Sequence, residues 1–245
     1  MNVWEDARVI RGMRAQLETR RKRLERGDAP LGWKVGFAAP DMLKRLGISG
    51  PLVGFLTRNA LVRSGATVSL AGWTKPVAEP EIAVHLGRDV AGGTDHAAAE
   101  SAIAGISSAI ELADVTAPPE DPEAILSANI YQRHVVLSGE TPARAGAAAH
   151  GLMCRVKRRG SEFARTDDPQ ANTGKWIDIV RHVADVLAAC GEASSPARWC
   201  RRLRSSRAKT RSRSRSIRSA ASRFVFPGTT RRASDIAPPR RSRAY

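Results

Sequence analysis

The stretch Glu79-Pro-Glu-Ile-Ala83 decides how the middle of this 245-residue chain folds. It leads into an apolar run, and side chains on a strand alternate with a period of two, so Glu79 and Glu81 lie on one face of the predicted strand. A second apolar run, Ser107–Leu112, carries Glu111 near its end. If the two strands are neighbours, three carboxylates converge at one end of a sheet.

Each of these charged residues has a functional and a structural interpretation. Hard divalent cations such as Mg²⁺ take carboxylate oxygens and keep water molecules that a substrate can displace. A glutamate near a strand end is, taken alone, more commonly a solvated surface residue. Lys34, within Gly32-Trp-Lys-Val-Gly36, presents a similar choice. When buried it can bind a substrate carboxylate or move a proton, whereas at a strand edge it extends into solvent.

Outside this strand pair, short β-like runs and helical segments follow in no regular order, which predicts an α+β domain. Helical spacing of apolar residues predicts a surface helix before Gly27 and a final helix from about Thr173 to a cap at Gly191. The alanine-rich stretch His96–Ile106 is predicted to be helical, and Asp121-Pro122 marks the start of another helix. The remaining predicted strands are Leu52–Leu56, Thr67–Leu70 and Val135–Ser138.

Charge is distributed very unevenly along the chain. The formal net charge is +16, but residues 193–245 contain 16 lysines and arginines against the single acid Asp235, whereas residues 1–192 contain 24 basic and 23 acidic residues. No apolar run approaches the roughly 20 residues that span a bilayer. The three cysteines lack metal-ligand spacing, which favours a reduced, cytoplasmic protein.

Six short motifs follow one another at consistent spacings between about Gly32 and Gly191. They are Gly32-Trp-Lys-Val-Gly36, Gly54-Phe-Leu56, Glu79-Pro-Glu-Ile-Ala83, Gly87-Arg-Asp-Val90, Ala109-Ile-Glu-Leu-Ala-Asp114 and Leu137-Ser-Gly139. Each motif is weak alone, but the ordered set resembles the 2-keto-4-pentenoate hydratases and their 4-oxalocrotonate decarboxylase relatives in the fumarylacetoacetate hydrolase superfamily. The resemblance implies a fumarylacetoacetate-hydrolase-like mixed β fold with an N-terminal helical segment.

The resemblance also implies roles for individual residues. The metal ligands for Mg²⁺ or Mn²⁺ would be Glu79, Glu81 and Glu111. Lys34 would contact substrate and take part in proton transfer, with Asp114 as a supporting carboxylate of the same site. Asn129 would bind substrate.

The implied activity is hydration of a 2-hydroxy-2,4-dienoate to a 4-hydroxy-2-oxo acid, a hydro-lyase reaction of aromatic-compound catabolism. Decarboxylation of a 2-oxo diacid and C–C hydrolysis of an acylpyruvate are the alternatives within the superfamily. The expected partners are a small 2-keto acid and, once the chain is folded, further copies of itself. Two stretches depart from the family pattern and allow a different keto acid. Thr57-Arg58-Asn59 lacks the usual aspartate, and Ser127-Ala-Asn-Ile-Tyr131 keeps only Asn129 of the usual polar residues.

The sequence predicts three segments. Residues 1–60 form an N-terminal helical segment with the lysine-bearing strand, and residues 61–192 form an incomplete metal-binding catalytic domain. Residues 193–245 form a basic, low-complexity tail whose Arg-, Ser-, Ala- and Pro-rich composition predicts disorder. Non-specific binding of nucleic acid or another polyanion through this tail is the non-enzyme alternative.

The tail has the composition of a GC-rich gene read out of frame. The family normally continues after Glu192 with a strand of the type Ala-Gly-Asp-Val-Val and later a Pro-Leu-Gly-Ser-Val segment. If the last base of each codon is read with the first two of the next, Ser195–Cys200 can encode Ala-Gly-Glu-Val-Val. In the same frame, Arg211–Phe226 can encode Val-Thr-Val-Thr-Val-Asp-Pro-Leu-Gly-Ser-Val-Thr-Val-Arg-Phe. We interpret the tail as a frameshift near Ala193 and expect the chain as written to be poorly soluble or inactive.

Overall fold

The computed structural model describes residues 2–171 and 173–192, together with the backbone of Ser216–Arg218. Five α-helices, four short 3-10 helices and nine strands lie within these residues. The helices are α1 (Ala7–Glu25), α2 (Pro40–Leu46), α3 (His96–Ala102), α4 (Pro122–Ser127) and α5 (Trp176–Ala189). The strands are β1 (Pro30–Gly36), β2 (Leu52–Thr57), β3 (Thr67–Ser69), β4 (Pro76–Leu86), β5 (Ile103–Asp114), β6 (Gln132–Leu137), β7 (Cys154–Arg158), β8 (Ser161–Thr166) and β9 (Ser216–Arg218).

The N-terminal helix packs closely on α4 and on strand β2. Its N-cap is Asp6, whose side chain accepts a hydrogen bond from the backbone N–H of Arg8. Gly12 permits the close approach, because a Cβ atom there would lie 2.7 Å from Cβ of Leu126. The predicted surface helix before Gly27 is present, with Val9, Met13 and Leu17 buried and Ile10 41% exposed.

The central sheet has three antiparallel strands in the order β4-β5-β6, which confirms that the two glutamate-bearing strands are neighbours. The predicted helix His96–Ile106 is wrong over its last four residues, because α3 ends at Ala102 and Ile103 begins β5. An apolar stretch of this kind suits a buried strand as well as a helix. Gly105 fits the strand tightly, since a Cβ atom there would lie 2.8 Å from the Thr141 carbonyl oxygen.

The other strands among the described residues form three two-stranded units. Strands β1 and β2 pair antiparallel, with Lys34 opposite Gly54, and every residue of β2 is buried. Strands β7 and β8 form a hairpin, and β3 pairs antiparallel with β9. The last helix begins at Trp176, three residues later than expected, and ends as predicted, with Gly191 at a φ of 71° and its N–H bonded to the carbonyl of Ala188.

The predicted disorder of residues 193–245 lies outside the described residues, apart from the backbone of β9. The apolar core joins α1, α4 and β2, and includes Met13, Val53 and Leu126. In the part of the chain that the structure describes, no helix has both the length and the apolar character needed to cross a membrane.

Candidate metal centre and cavity

Three glutamates from two neighbouring strands form a cluster of carboxylates. Glu79 on β4 lies directly opposite Glu111 on β5, and Glu81 lies two residues further along β4, opposite Ala109. Side chains at these positions project from the same face of the sheet. One carboxylate oxygen from each glutamate lies within 4.8 Å of the corresponding oxygens of the other two. The sheet thus brings together the three carboxylates that the sequence pattern placed on one face.

Lys34 reaches this cluster from strand β1 of a different sheet. Its Nζ donates a hydrogen bond to Oε1 of Glu111 and another to the backbone carbonyl of Ile130, at 3.4 Å. The side chains of Lys34 and Glu111 are only 8% and 7% exposed. Lys34 therefore forms a buried ion pair and does not extend from a strand edge into solvent.

Desolvation and neighbouring negative charges raise the pKa values of two of the three glutamates. Partial removal from bulk water raises the pKa of Glu81 to about 7, and the carboxylates of Glu111 and Glu79 contribute to the rise. Burial also raises the pKa of Glu111, although the ammonium group of Lys34 opposes that rise. Three carboxylates against the ammonium group of Lys34 leave an excess of negative charge that a divalent cation would neutralise.

An open cavity of about 640 Å³ begins beside the cluster. Its volume lies within the roughly 300–1,000 Å³ of most small-molecule sites. Lys34, Glu81 and Glu111 form its polar end. The apolar side chains that line the rest include Trp33, Leu56, Val84, Val135, Leu137, Trp176 and Val180. Arg165, Thr166, Asp168 and Thr173 add polar groups to this largely apolar lining. A mostly apolar cavity that carries charged groups suits a small carboxylic acid.

Asn129 does not present its amide to this cavity. Its Oδ1 accepts a hydrogen bond from the Phe55 backbone N–H at 2.9 Å, and its Nδ2 donates one to the Phe55 carbonyl at 3.0 Å. The residue is 4% exposed. Both polar ends of the side chain are used to hold strand β2, so the structure gives Asn129 a different position from the one implied by a substrate-binding role.

Asp114 also lies apart from the three glutamates. It follows Glu111 by three residues on β5 and so projects from the opposite face of the strand. Its carboxylate accepts hydrogen bonds from the backbone N–H groups of Thr74 and Lys75 at 2.9 and 2.8 Å, and from Arg133 at 3.2 Å. These contacts hold the segment before β4, and the structure does not bring Asp114 into the carboxylate cluster.

One group at the site could not be recognised from the sequence pattern. The Ile130 carbonyl that accepts from Lys34 belongs to a backbone turn, in which Asn129, Ile130 and Tyr131 all have positive φ angles. None of the three is glycine, and ordinary L residues rarely adopt this conformation. The motif therefore gives no local signal for the turn.

The sequence of this chain is similar to that of one class of known enzymes over part of its length. No protein-family model matches the chain. Over 92 residues the chain is 33% identical to a 4-oxalocrotonate decarboxylase from a Pseudomonas species, and the matched region covers 38% of this chain and 36% of that relative. The chain thus spans little more than a third of the length of the curated relative that it matches.

Two solved structures of 4-oxalocrotonate decarboxylase from Pseudomonas putida G7 share the fold, each with a TM-score of 0.65 over 72% of this chain and 68% of the other. One of them is complexed with magnesium and adipate and is 23% identical in sequence. The other is complexed with calcium and acetate and is 24% identical. The chain therefore shares the mixed α+β fold of these two decarboxylase structures, as the sequence predicted. The predicted resemblance to the 4-oxalocrotonate decarboxylases is confirmed as a sequence similarity over these 92 residues.

Proposed function

We propose that this chain provides the metal-binding part of a divalent-metal-dependent enzyme that acts on small 2-oxo acids. The observation that carries the proposal is the convergence of Glu79, Glu81 and Glu111 beside the buried ammonium of Lys34, at one end of an apolar cavity. The likeness to a decarboxylase that is solved with magnesium and a dicarboxylate supports the same class of chemistry.

The donor set fits Mg²⁺ or Mn²⁺. Carboxylate oxygens are the ligands that hard divalent cations prefer, and three of them leave further coordination positions for substrate. The pKa of Glu81 is raised to about 7, chiefly by partial desolvation and further by the carboxylates of Glu111 and Glu79, whose negative charge a bound cation would share. When bound, the cation would act as a Lewis acid toward the carboxylate and 2-oxo oxygens of the substrate.

Lys34, the cavity lining and Asp114 would have different roles in the reaction. Lys34 donates a hydrogen bond to Glu111 and lines the same cavity. Its ammonium group could therefore bind a substrate carboxylate or donate a proton to a substrate carbon. The apolar side chains of residues such as Val84 and Val135 line the cavity and would reduce the contact of the reacting carbons with water. Hydrogen bonds from Thr74 and Lys75 to Asp114 hold the start of β4 in place, so we assign Asp114 a supporting role outside the cavity.

We propose decarboxylation of a 2-oxo diacid as the reaction of this site. Breaking the bond to the leaving carboxylate moves its electron pair through the conjugated carbons to the 2-oxo oxygen, and protonation at carbon completes the reaction. The sequence match to 4-oxalocrotonate decarboxylase favours this reaction over the hydration of a 2-hydroxy-2,4-dienoate that the motifs first indicated. Hydration is the second candidate, because it uses the same enolate-type intermediate and the same residues.

The test is metal-dependent release of carbon dioxide from a 2-oxo diacid, measured on the chain as written and on a frame-restored version. We expect the frame-restored version to turn over with Mg²⁺ or Mn²⁺, and excess chelator to abolish this activity. Glu79→Gln or Glu81→Gln in that version should lose both turnover and Mn²⁺ binding. Glu25→Gln, at an exposed site on α1, is the matched control and should behave as wild type. Turnover that persists in chelator would contradict the proposal, and water addition without carbon dioxide release would favour the hydratase.

We also propose that residues after about Ala193 are encoded out of frame. The support is the codon correspondence over Ser195–Cys200 and Arg211–Phe226, together with the abrupt change from a nearly neutral sequence to a strongly basic one. Sequencing the coding DNA tests this directly. The shifted frame should run open past codon 226 and encode the Ala-Gly-Glu-Val-Val and Pro-Leu-Gly-Ser-Val segments, whereas an early stop codon there would contradict the proposal.

A further inference from the structure

The left-handed turn at residues 129–131 is a backbone conformation that needs support from its surroundings. The φ angles of Asn129, Ile130 and Tyr131 are 51°, 52° and 60°, and Ile130 is β-branched. Successive L residues in this region are strained, and such strain persists where the surrounding structure enforces it, often beside a functional site. The question is therefore what enforces this turn and what the turn positions.

The amide of Asn129 fastens the first residue of the turn to strand β2. Its two hydrogen bonds to the backbone of Phe55, at 2.9 and 3.0 Å, form a buried, two-point clamp. Phe55 is itself 0% exposed, so the clamp is attached to a fixed part of the core. Asparagine is also among the residues that tolerate the left-handed conformation best.

The second residue of the turn contacts Lys34 through its carbonyl. The Ile130 oxygen accepts a hydrogen bond from Nζ of Lys34 at 3.4 Å, on an ammonium that also donates to Glu111. Two acceptors from different elements fix the ammonium more closely than either could alone. The turn thereby sets the position of the charged end of Lys34.

Two glycines of the sequence motifs make room for this arrangement. A Cβ atom at Gly54 would lie 3.0 Å from Cγ of Lys34 and 3.1 Å from Oδ1 of Asn129. A Cβ atom at Gly36 would lie 3.0 Å from Cγ2 of Ile130. Both positions are occupied by glycine because the lysine and the turn approach the backbone so closely.

We propose that Asn129 is a positioning residue that acts through Lys34: by clamping Phe55 it holds the left-handed turn, and the Ile130 carbonyl then fixes the ammonium group. The inference rests on the proposed function for its catalytic consequence, but the position of the ammonium can be measured without turnover. Gln16 supplies a matched control. Its buried amide donates hydrogen bonds to the carbonyl of Val53 on β2 and to that of Leu126 on α4, and neither acceptor belongs to the turn or to Lys34.

The first experiment measures acetylation of Lys34 relative to the exposed Lys22 by mass spectrometry. The Lys34 side chain is 8% exposed and that of Lys22 is 59% exposed, so wild-type labelling of Lys34 should be slow. Asn129→Ala should raise the Lys34 to Lys22 labelling ratio about tenfold, which corresponds to about 1.4 kcal/mol. Gln16→Ala should leave the ratio within twofold of wild type. An unchanged ratio in Asn129→Ala, or an equal rise in Gln16→Ala, would overturn the proposal.

The second experiment measures kcat, KM and Mn²⁺ affinity in the frame-restored protein. A misplaced catalytic group costs up to about 100-fold in rate, so Asn129→Ala should lower kcat by 10- to 100-fold with KM and Mn²⁺ affinity within about twofold of wild type. Asn129→Asp keeps the acceptor for Phe55 and should recover part of kcat, whereas Asn129→Gly should not, because it lacks the clamp. Loss of Mn²⁺ affinity in parallel with kcat would show a merely structural role. Failure of the proposed function would instead appear as absent wild-type turnover, and the labelling ratio would still decide the role of Asn129.

Discussion

Neutralising Glu81 should have opposite effects on the stability of the metal-free protein and on its affinity for metal. The pKa of Glu81 is raised from 4.5 to about 7 by partial desolvation and by the carboxylates of Glu111 and Glu79. The folded protein therefore binds this proton more tightly than the unfolded chain does. The free energy of unfolding must then fall as the pH rises from about 4.5 to 7. Above that range this contribution of Glu81 to stability is fully lost and no longer changes with pH.

The magnitude follows from the size of that rise. If Glu81 were fully shielded from water, this change in its pKa would lower the free energy of unfolding of the protein by roughly 3 kcal/mol at high pH. Solvent reaches the Glu81 side chain, so screening reduces our expectation to about 1 kcal/mol. At pH 8 and in chelator, Glu81→Gln should therefore stabilise the protein by about 1 kcal/mol. The same substitution removes a proposed ligand and should weaken Mn²⁺ binding at least tenfold.

Urea denaturation at pH 6 and pH 8, combined with calorimetric titration of Mn²⁺, measures both effects. We expect Glu81→Gln to be more stable than wild type at pH 8, with a smaller difference at pH 6, and to bind Mn²⁺ more weakly. Glu25→Gln, on the exposed surface of α1, should match wild type in both assays. If Glu81→Gln destabilises the metal-free protein, or leaves Mn²⁺ binding unchanged, the electrostatic account of the cluster is wrong.

Three further predictions concern the surroundings of the cluster. Lys34→Met should reduce turnover at least tenfold while calorimetry shows Mn²⁺ affinity within a few fold of wild type, and unchanged kinetics would refute a role in proton transfer. Asp114→Ala should lower the midpoint of urea denaturation, because it removes the acceptor for the backbone N–H groups of Thr74 and Lys75 that precede β4, while an unchanged midpoint would contradict that role. Restoring the reading frame after Ala193 should increase the soluble fraction on expression and the metal-dependent rate, and equal solubility and rate in both forms would argue against a frameshift.

The carboxylate cluster could be predicted from the sequence because it depends on local periodicity. Glu79 and Glu81 share a face by the two-residue repeat of a strand, and Glu111 stands at the matching position of the next apolar run. The burial of Lys34 was not decided by its own motif, since glycine and tryptophan neighbours suit an exposed strand edge equally well. Its position depends on Glu111, which is 77 residues away along the chain.

The roles of Asn129 and Asp114 could not be predicted because both depend on distant backbone groups. Asn129 bonds to Phe55, 74 residues away, and Asp114 bonds to Thr74 and Lys75 before the preceding strand. A polar residue in a family-like stretch carries no local sign that its side chain is already occupied. The error at Ile103 has a different cause, because an apolar segment buried on both sides lacks the alternation that distinguishes a strand from a helix.

The central claim is that Glu79, Glu81 and Glu111 together hold one divalent cation. The most direct measurement is a crystal structure of the protein with Mn²⁺, in which anomalous scattering locates the metal. We predict a single peak within about 2.0–2.3 Å of a carboxylate oxygen from each of the three glutamates, with the remaining positions open to the cavity. A peak bound elsewhere, or no peak at the cluster at a Mn²⁺ concentration that supports turnover, would contradict the account.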